Sequence, residues 1–221
     1  VGFGAQVTWI GLRDAGWETL SGAQTVTFAD GSTAELMEGA RIEVLDDRGR
    51  AARLLAGTAL FRVETDPTAP FGVTTPNAEV AVLGTTFSVE ATDVETEVVL
   101  VEGAVSLAPR ATPDEAIVLE PGQRSRVLAL DAPSTPEPAD LGTLSWTGSL
   151  FIAEGTTAGE VARQLATRFD MPVGIDPALA GEALGQAELS AESLDAALQV
   201  LAAAVGGDVV AAGEGRQIVA P

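Results

Sequence analysis

The sequence predicts two domains in series: an all-β sandwich or roll over residues 1–130 and a small α+β domain over residues 143–221, joined by a proline-rich linker at 131–142. Three observations carry this reading. Apolar and polar residues alternate almost without a break from Pro70 to Leu107, the period of half-buried strands. Turn residues recur about every 8–12 positions through the first domain, as in sandwiches and barrels. Past DAPSTPEPAD (131–140), with its prolines at 133, 136 and 138, the period changes to the four-residue spacing of amphipathic helices.

Within the first domain, QTVTFADGSTAEL (24–36) reads as strand, Asp30–Gly31 turn, strand. Arg41–Leu45 is another alternating run, closed by Asp46, Asp47, Arg48 and Gly49. The series continues through ALFRVET, FGVTTP, EVAVLGTTFSVEA, TEVVLVEGAVSLA, AIVLEPG and RSRVLAL, and no helix is expected before residue 150. Gly84 and Gly103 interrupt apolar strands, which marks a bulge or a close backbone approach. After Gly84, the residues Thr85, Phe87 and Val89 share one face, while Thr86 and Ser88 share the other. Pro121–Gly122 suits a type II turn.

The second domain opens with a strand from Leu144. Thr157 stands three residues before Glu160, the spacing of a capping box, and Val161, Leu165 and Phe169 follow on one helical face. MPVGID and GQAELS read as strands. Ser190 is placed to cap a second helix whose stripe is Leu194, Leu198, Leu201 and Val205, and Gly206–Gly207 stops it. DVVAA and RQIVA close the chain as a hairpin around Gly213 and Gly215. The predicted order is β-α-β-β-α-β-β, with the helices on one face of a sheet.

Composition narrows the chemistry. The formal net charge is −20, and all twelve basic residues are arginine. Such a surface repels nucleic-acid phosphates and anionic lipids, so neither is an expected partner. The acidic, lysine-free composition fits a high-GC genome or a salt-adapted host, and simple solubility accounts for it as well. Without His or Cys, Ser-His-Asp and Cys-His catalysis and ordinary zinc sites are excluded. Without Lys, a P-loop and a Schiff base are excluded too. Paired-carboxylate and oxygen-only cation chemistry remain formally open. Asp46–Asp47 and the acids from Glu90 to Glu97 are the densest clusters, but none has EF-hand spacing; they read as solvated faces. No catalytic residue, cofactor or metal ligand is assigned.

Apolar runs fall short of the roughly 20 residues that a membrane helix needs. The chain reads as an excised fragment whose first residues, VGFGAQVTWIG, follow a membrane anchor; the other reading is that Val7, Trp9 and Ile10 form a first alternating strand.

Six short motifs in order resemble the FecR family of membrane-bound sigma-factor regulators. They are Asp30-Gly31-Ser32; Gly57-Thr58-Ala59 with Phe61 and Val63; Pro70-Phe71 with Val73; Val82 to Val89, containing Gly84, Thr85 and Phe87; Val101-Glu102-Gly103-Ala104-Val105; and Leu119-Glu120-Pro121-Gly122-Gln123. Thr58 stands where the family usually has an acid. Residues from Trp146 to about Val210 resemble the FecR carboxy-terminal domain, itself similar to the small signalling fold of secretins and TonB-dependent receptors. The motif residues themselves read as folding determinants rather than as a ligand site.

The resemblance implies an anti-sigma factor in the inner membrane, whose periplasmic part takes a signal from the signalling domain of a TonB-dependent transporter for iron chelates or glycans. A cytoplasmic region outside this sequence would hold the sigma factor. The expected docking elements are sheet edges in the second domain, Met171–Asp176 with Met171, Val173 and Ile175, and Asp208–Ala212 with Val209 and Val210, because an unpaired strand can accept another. If these strands are interior, that expectation fails. The alternative function is a structural or adhesive envelope module.

Overall fold

Alternating apolar residues bury one face of each strand, and this pattern produces a β-rich chain. The computed structural model describes residues 19–44, 49–129, 131–144, 146–152, 154–190, 193–213 and 215–221. The readings made for Val7, Trp9, Ile10, Asp46 and Asp47 lie outside the described residues. Two compact units emerge, Val1–Ala139 and Asp140–Pro221.

In unit 1 the chain forms β1 (Thr19–Ser21), β2 (Gln24–Thr27), β3 (Thr33–Leu36), β4 (Arg41–Val44), β5 (Ala51–Arg62) and β6 (Phe71–Thr74). Then come β7 (Ala78–Val82), β8 (Thr86–Ala91), β9 (Glu95–Glu102), β10 (Val105–Pro109), β11 (Ile117–Leu119), β12 (Gln123–Leu128) and β13 (Glu137–Pro138). They join into one curled, branched sheet whose branch point is β5. The first half of β5 pairs with β4 and, in parallel, with β6; its second half pairs with β3 and β8. Two leaves therefore share β5. One holds β2, β3, β8, β9, β12 and β13, and the other β1, β4, β6, β7, β10 and β11.

Strand β5 changes leaf at Gly57, whose φ of +85° lies in the left-handed region and whose Cβ, if present, would stand 2.6 Å from Ala40 Cα. A side chain would prevent the bend. Both leaves turn their apolar faces inward onto one core, with Ile42, Leu54, Phe71, Val80 and Leu107 from one and Ala34, Phe61, Phe87, Val89 and Leu100 from the other. Phe61 stacks on Phe87 at 5.2 Å between centroids, and Phe71 meets Phe28 edge-on at 5.0 Å.

The expected hairpin at Asp30–Gly31 is β2–β3, paired antiparallel with Val26 opposite Ala34. The long runs expected on either side of Gly84 and Gly103 are each two strands, divided at those glycines. The proline-rich stretch read as a linker lies instead along β12. Arg124 pairs with Glu137, the Ser125 hydroxyl donates to the Ser134 carbonyl at 2.7 Å, and Ala139 N–H donates to Gly122 O at 2.8 Å. Proline holds this segment extended, which suits it to a sheet edge, where its missing N–H costs little.

Unit 2 contains β14 (Ser149–Ile152), α1 (Ala158–Phe169), β15 (Val173–Ile175), α2 (Pro177–Ala180), β16 (Ala187–Ser190), α3 (Leu194–Val205), β17 (Asp208–Ala212) and β18 (Gly215–Val219). The capping box of α1 is complete: the Thr157 hydroxyl accepts from Glu160 N–H, and the Glu160 carboxylate accepts from Thr157 N–H at 2.9 Å. The hydrogen bond from the Thr157 backbone, then that from its hydroxyl, hold the Glu160 carboxyl below its ordinary value.

Three expectations for this unit are corrected. Ser190 ends β16, and the cap of α3 is Ser193, whose hydroxyl accepts from Ala196 N–H at 3.2 Å; only at this position does the cap immediately precede the helix that Leu194 begins. The short α2, capped by Asp176 with Pro177 at its first position, went unforeseen although Asp-Pro is an ordinary start signal. In place of a single sheet there are two, β14–β16 and β15–β18–β17. Pro177 cannot continue a strand, so α2 turns the chain away from β15, and β16 pairs with β14 instead. Val161, Leu165, Leu198, Leu201 and Ile218 form this unit's own core. Among the described residues, no helix is long and apolar enough to cross a membrane.

Candidate functional site

The signature residues of unit 1 are held by an ion pair that sequence reading missed. In the Asp30-Gly31-Ser32 turn, Ser32 N–H and its hydroxyl donate to the two Asp30 carboxylate oxygens at 2.9 and 2.7 Å. Arg50, 8% exposed, donates from Nη1 to Asp30 Oδ2 at 2.5 Å and from Nη2 to Glu64 O at 3.2 Å. Glu64 N–H in turn donates to the Ser32 hydroxyl at 3.0 Å. The same guanidinium lies 5.9 Å from the Phe71 ring centroid. Arg50 thus ties the Asp30-Gly31-Ser32 and Pro70-Phe71 motifs together, and reaches Glu64 beside the motif that ends at Val63. Its signal in the sequence is an arginine immediately before an apolar strand.

Gly84 and Gly103 occupy the places where the chain passes between leaves, from β7 to β8 and from β9 to β10. The two crossings press against each other. A Cβ on Gly103, at φ +93°, would stand 2.6 Å from Gly84 O, and one on Gly84 would stand 2.7 Å from Thr65 Cα. Thr85 secures the contact by donating its hydroxyl to Ala104 O at 3.1 Å. Phe87 and Val89 then enter the core. Pro121–Gly122 makes a third crossing, from β11 to β12; Gln123 N–H bonds Glu120 O at 3.1 Å, and Gly122 has φ +78°, as a type II turn requires.

Beside these crossings runs an open groove of about 290 Å³, rimmed by Gly31, Arg62, Glu64, Gly84, Thr85 and Glu102. Glu64 and Glu102 are both exposed, so neither has the apolar surroundings that a glycosidase's proton donor needs. Among the described residues, no group of three or more Asp or Glu could hold a metal ion.

In unit 2 the two stretches singled out as docking elements, β15 and β17, are the outer strands of the three-stranded sheet, with β18 between them. Met171, Val173, Ile175 and Val209 turn inward, half-buried against the core, whereas Val210 is exposed. β15 runs parallel to β18, and β17 antiparallel. Arg216 on β18 holds Asp195 at the start of α3 through two contacts, 2.7 and 3.3 Å, which tie the sheet to that helix and keep the guanidinium firmly protonated. Arg168 at the end of α1 donates to the carbonyls of Thr147 and Ser149, fixing the approach to β14. Sequence reading also missed the outer face of α3, where Val200 is exposed; its signal was the apolar run from Val200 to Val205.

A family model described as "FecR protein" matches residues 17–106. Two solved structures share the fold. Both are crystal structures of a "putative anti-sigma factor" from Parabacteroides distasonis, one at 21% identity with a TM-score of 0.51 and the other at 22% with 0.52. The first comparison covers 93% of this chain and 99% of the other, and the second 92% and 99%. No curated protein matches the chain.

Proposed function

We propose that this chain, FecR-like through residues 17–106, is the periplasmic signal-receiving region of a transmembrane anti-sigma factor. Unit 1 is the rigid body of the region, and unit 2 is its receiver, equivalent to the FecR carboxy-terminal domain. A TonB-dependent outer-membrane transporter, of the kind that imports iron chelates or glycans, presents its signalling domain to unit 2. The contact changes the stability or the cleavage of the regulator, and a sigma factor held on the cytoplasmic side is released.

The observation that carries this reading is the small open sheet of unit 2, whose two outer strands each pair on one side alone among the described residues. An extended segment can add to such an edge through main-chain hydrogen bonds. The family match and the fold shared with the two Parabacteroides structures support the regulatory role. The chain's lack of histidine, cysteine and lysine favours contact over turnover as the means of signalling.

Calorimetric titration of the signalling domain from the cognate transporter into the full chain tests the reading. Saturable binding of one domain per chain is expected. Absence of heat and of any co-migrating complex would overturn it.

A further inference from the structure

Helix α3 is apolar on nearly every side, with Asp195 and Gln199 its polar residues, yet the core covers only one side. Leu194, Ala197, Leu198, Leu201 and Ala202 are buried; Ala196, Val200, Ala203 and Ala204 lie exposed opposite, interrupted by Asp195 and Gln199. Helix α1, of equal length, faces outward with Glu160, Arg163 and Thr167. An amphipathic helix such as α1 is finished by water, whereas a helix apolar all round is ordinarily covered all round.

The next element leaves an open strand edge beside this helix. Strand β17 follows α3 through Gly206–Gly207 and packs against it on the face that carries Val209, opposite Ile218, while Val210 lies on the sheet's other face; Val210, Ala211 and Ala212 are exposed. Its free edge carries no proline and, beyond Asp208, no charge, the devices by which edge strands are usually protected. The opposite edge is protected: β15 is three residues long and stands between Pro172 and Pro177. Val200 and Val210 are the two large apolar side chains exposed among the described residues of unit 2, and both fall on these adjoining elements.

We infer that the free edge of β17 is the receiving edge, that a strand added there meets the exposed side of α3 on one face of the sheet and Val210 on the other, and that its occupant is a protein presenting an apolar extended strand with a basic rim. This rests on unit 2 being the receiver and specifies which of its two edges serves. Charge selects the occupant. Unit 2 contains eleven acids and three arginines. The centre of the surface is uncharged, and its rim carries exposed Asp208 and Asp195, the latter partly offset by Arg216. A second copy of the chain would bring the same acidic rim and be repelled; a basic partner is steered inward.

Titration of the transporter's signalling domain into the full chain and four variants, at ~0.05 and ~0.5 M salt, tests this. Val200→Glu and Val210→Glu are each expected to weaken binding about tenfold or more, as a charge placed in an apolar hot spot does. Asp208→Lys weakens binding and flattens its salt dependence, while Thr167→Glu on α1, which adds the same charge away from the surface, leaves affinity unchanged. Far-UV circular dichroism verifies each fold; should a β17 variant misfold, Val200→Glu on the exposed helix face decides alone. Binding that tolerates Val200→Glu and Val210→Glu, or that strengthens with salt, would overturn this surface while leaving unit 2 the receiver. Absence of binding to the unaltered chain would overturn both.

Discussion

Replacing Phe71 with alanine is expected to destabilise unit 1 by about 3–5 kcal/mol, the cost of emptying a large aromatic site in a close-packed core. Phe71 is fully buried and touches both leaves: edge-on to Phe28 at 5.0 Å, tilted against Phe61 at 6.3 Å, and beneath the Arg50 guanidinium. No neighbouring side chain can swing into the gap without leaving its own site, because Phe61 is itself stacked on Phe87. A domain of ordinary stability has only about 5–15 kcal/mol to lose, so the variant should unfold at a much lower urea concentration with an unchanged slope. A loss below about 1 kcal/mol would mean that the two leaves do not share one core.

Asp30→Ala is the second change of this size. It leaves the buried Arg50 guanidinium without its carboxylate and removes both Ser32 contacts. Breaking a buried pair by removing one partner costs about 3–5 kcal/mol, much of it the penalty of the charge left behind. The pair as a whole contributes less than that figure suggests. Asp30→Ala combined with Arg50→Met should therefore recover a large part of the loss, and a double-mutant cycle by urea denaturation reads the coupling. Strictly additive losses would show that the two side chains do not interact in solution.

These two residues illustrate what was legible in the sequence. Asp30 was visible because turn chemistry is local: Asp-Gly-Ser specifies its own hydrogen bonds within three residues. Arg50 was not, because its partners stand twenty residues before it and fourteen after it, a separation that only the fold closes. The same holds for Gly84 and Gly103. Each signals a tight spot on its own, but that the two spots are one contact, where adjacent crossings meet between leaves, depends on strand order. The α1 cap was read correctly from Thr157 and Glu160, while the α3 cap was displaced from Ser193 to Ser190 because both serines precede the same apolar stripe. In unit 2, periodicity located β15 and β17; their position at the sheet's edges comes from β18 entering between them, parallel to one and antiparallel to the other.

The division of labour between signature and surface follows from burial. Phe61, Phe71, Phe87 and Val89 are wholly buried, so they can specify unit 1 but cannot touch a partner. Val200 and Val210 belong to none of the motifs and lie exposed, where a partner can reach them.

Amide hydrogen exchange on the full chain, free and saturated with the transporter's signalling domain, tests this division most directly. New protection is expected at residues 194–212, spanning α3 and β17, with exchange unchanged in the signature segments at residues 30–33, 82–89 and 101–105. Protection confined to those signature segments, with α3 and β17 exchanging as in the free chain, would contradict the account.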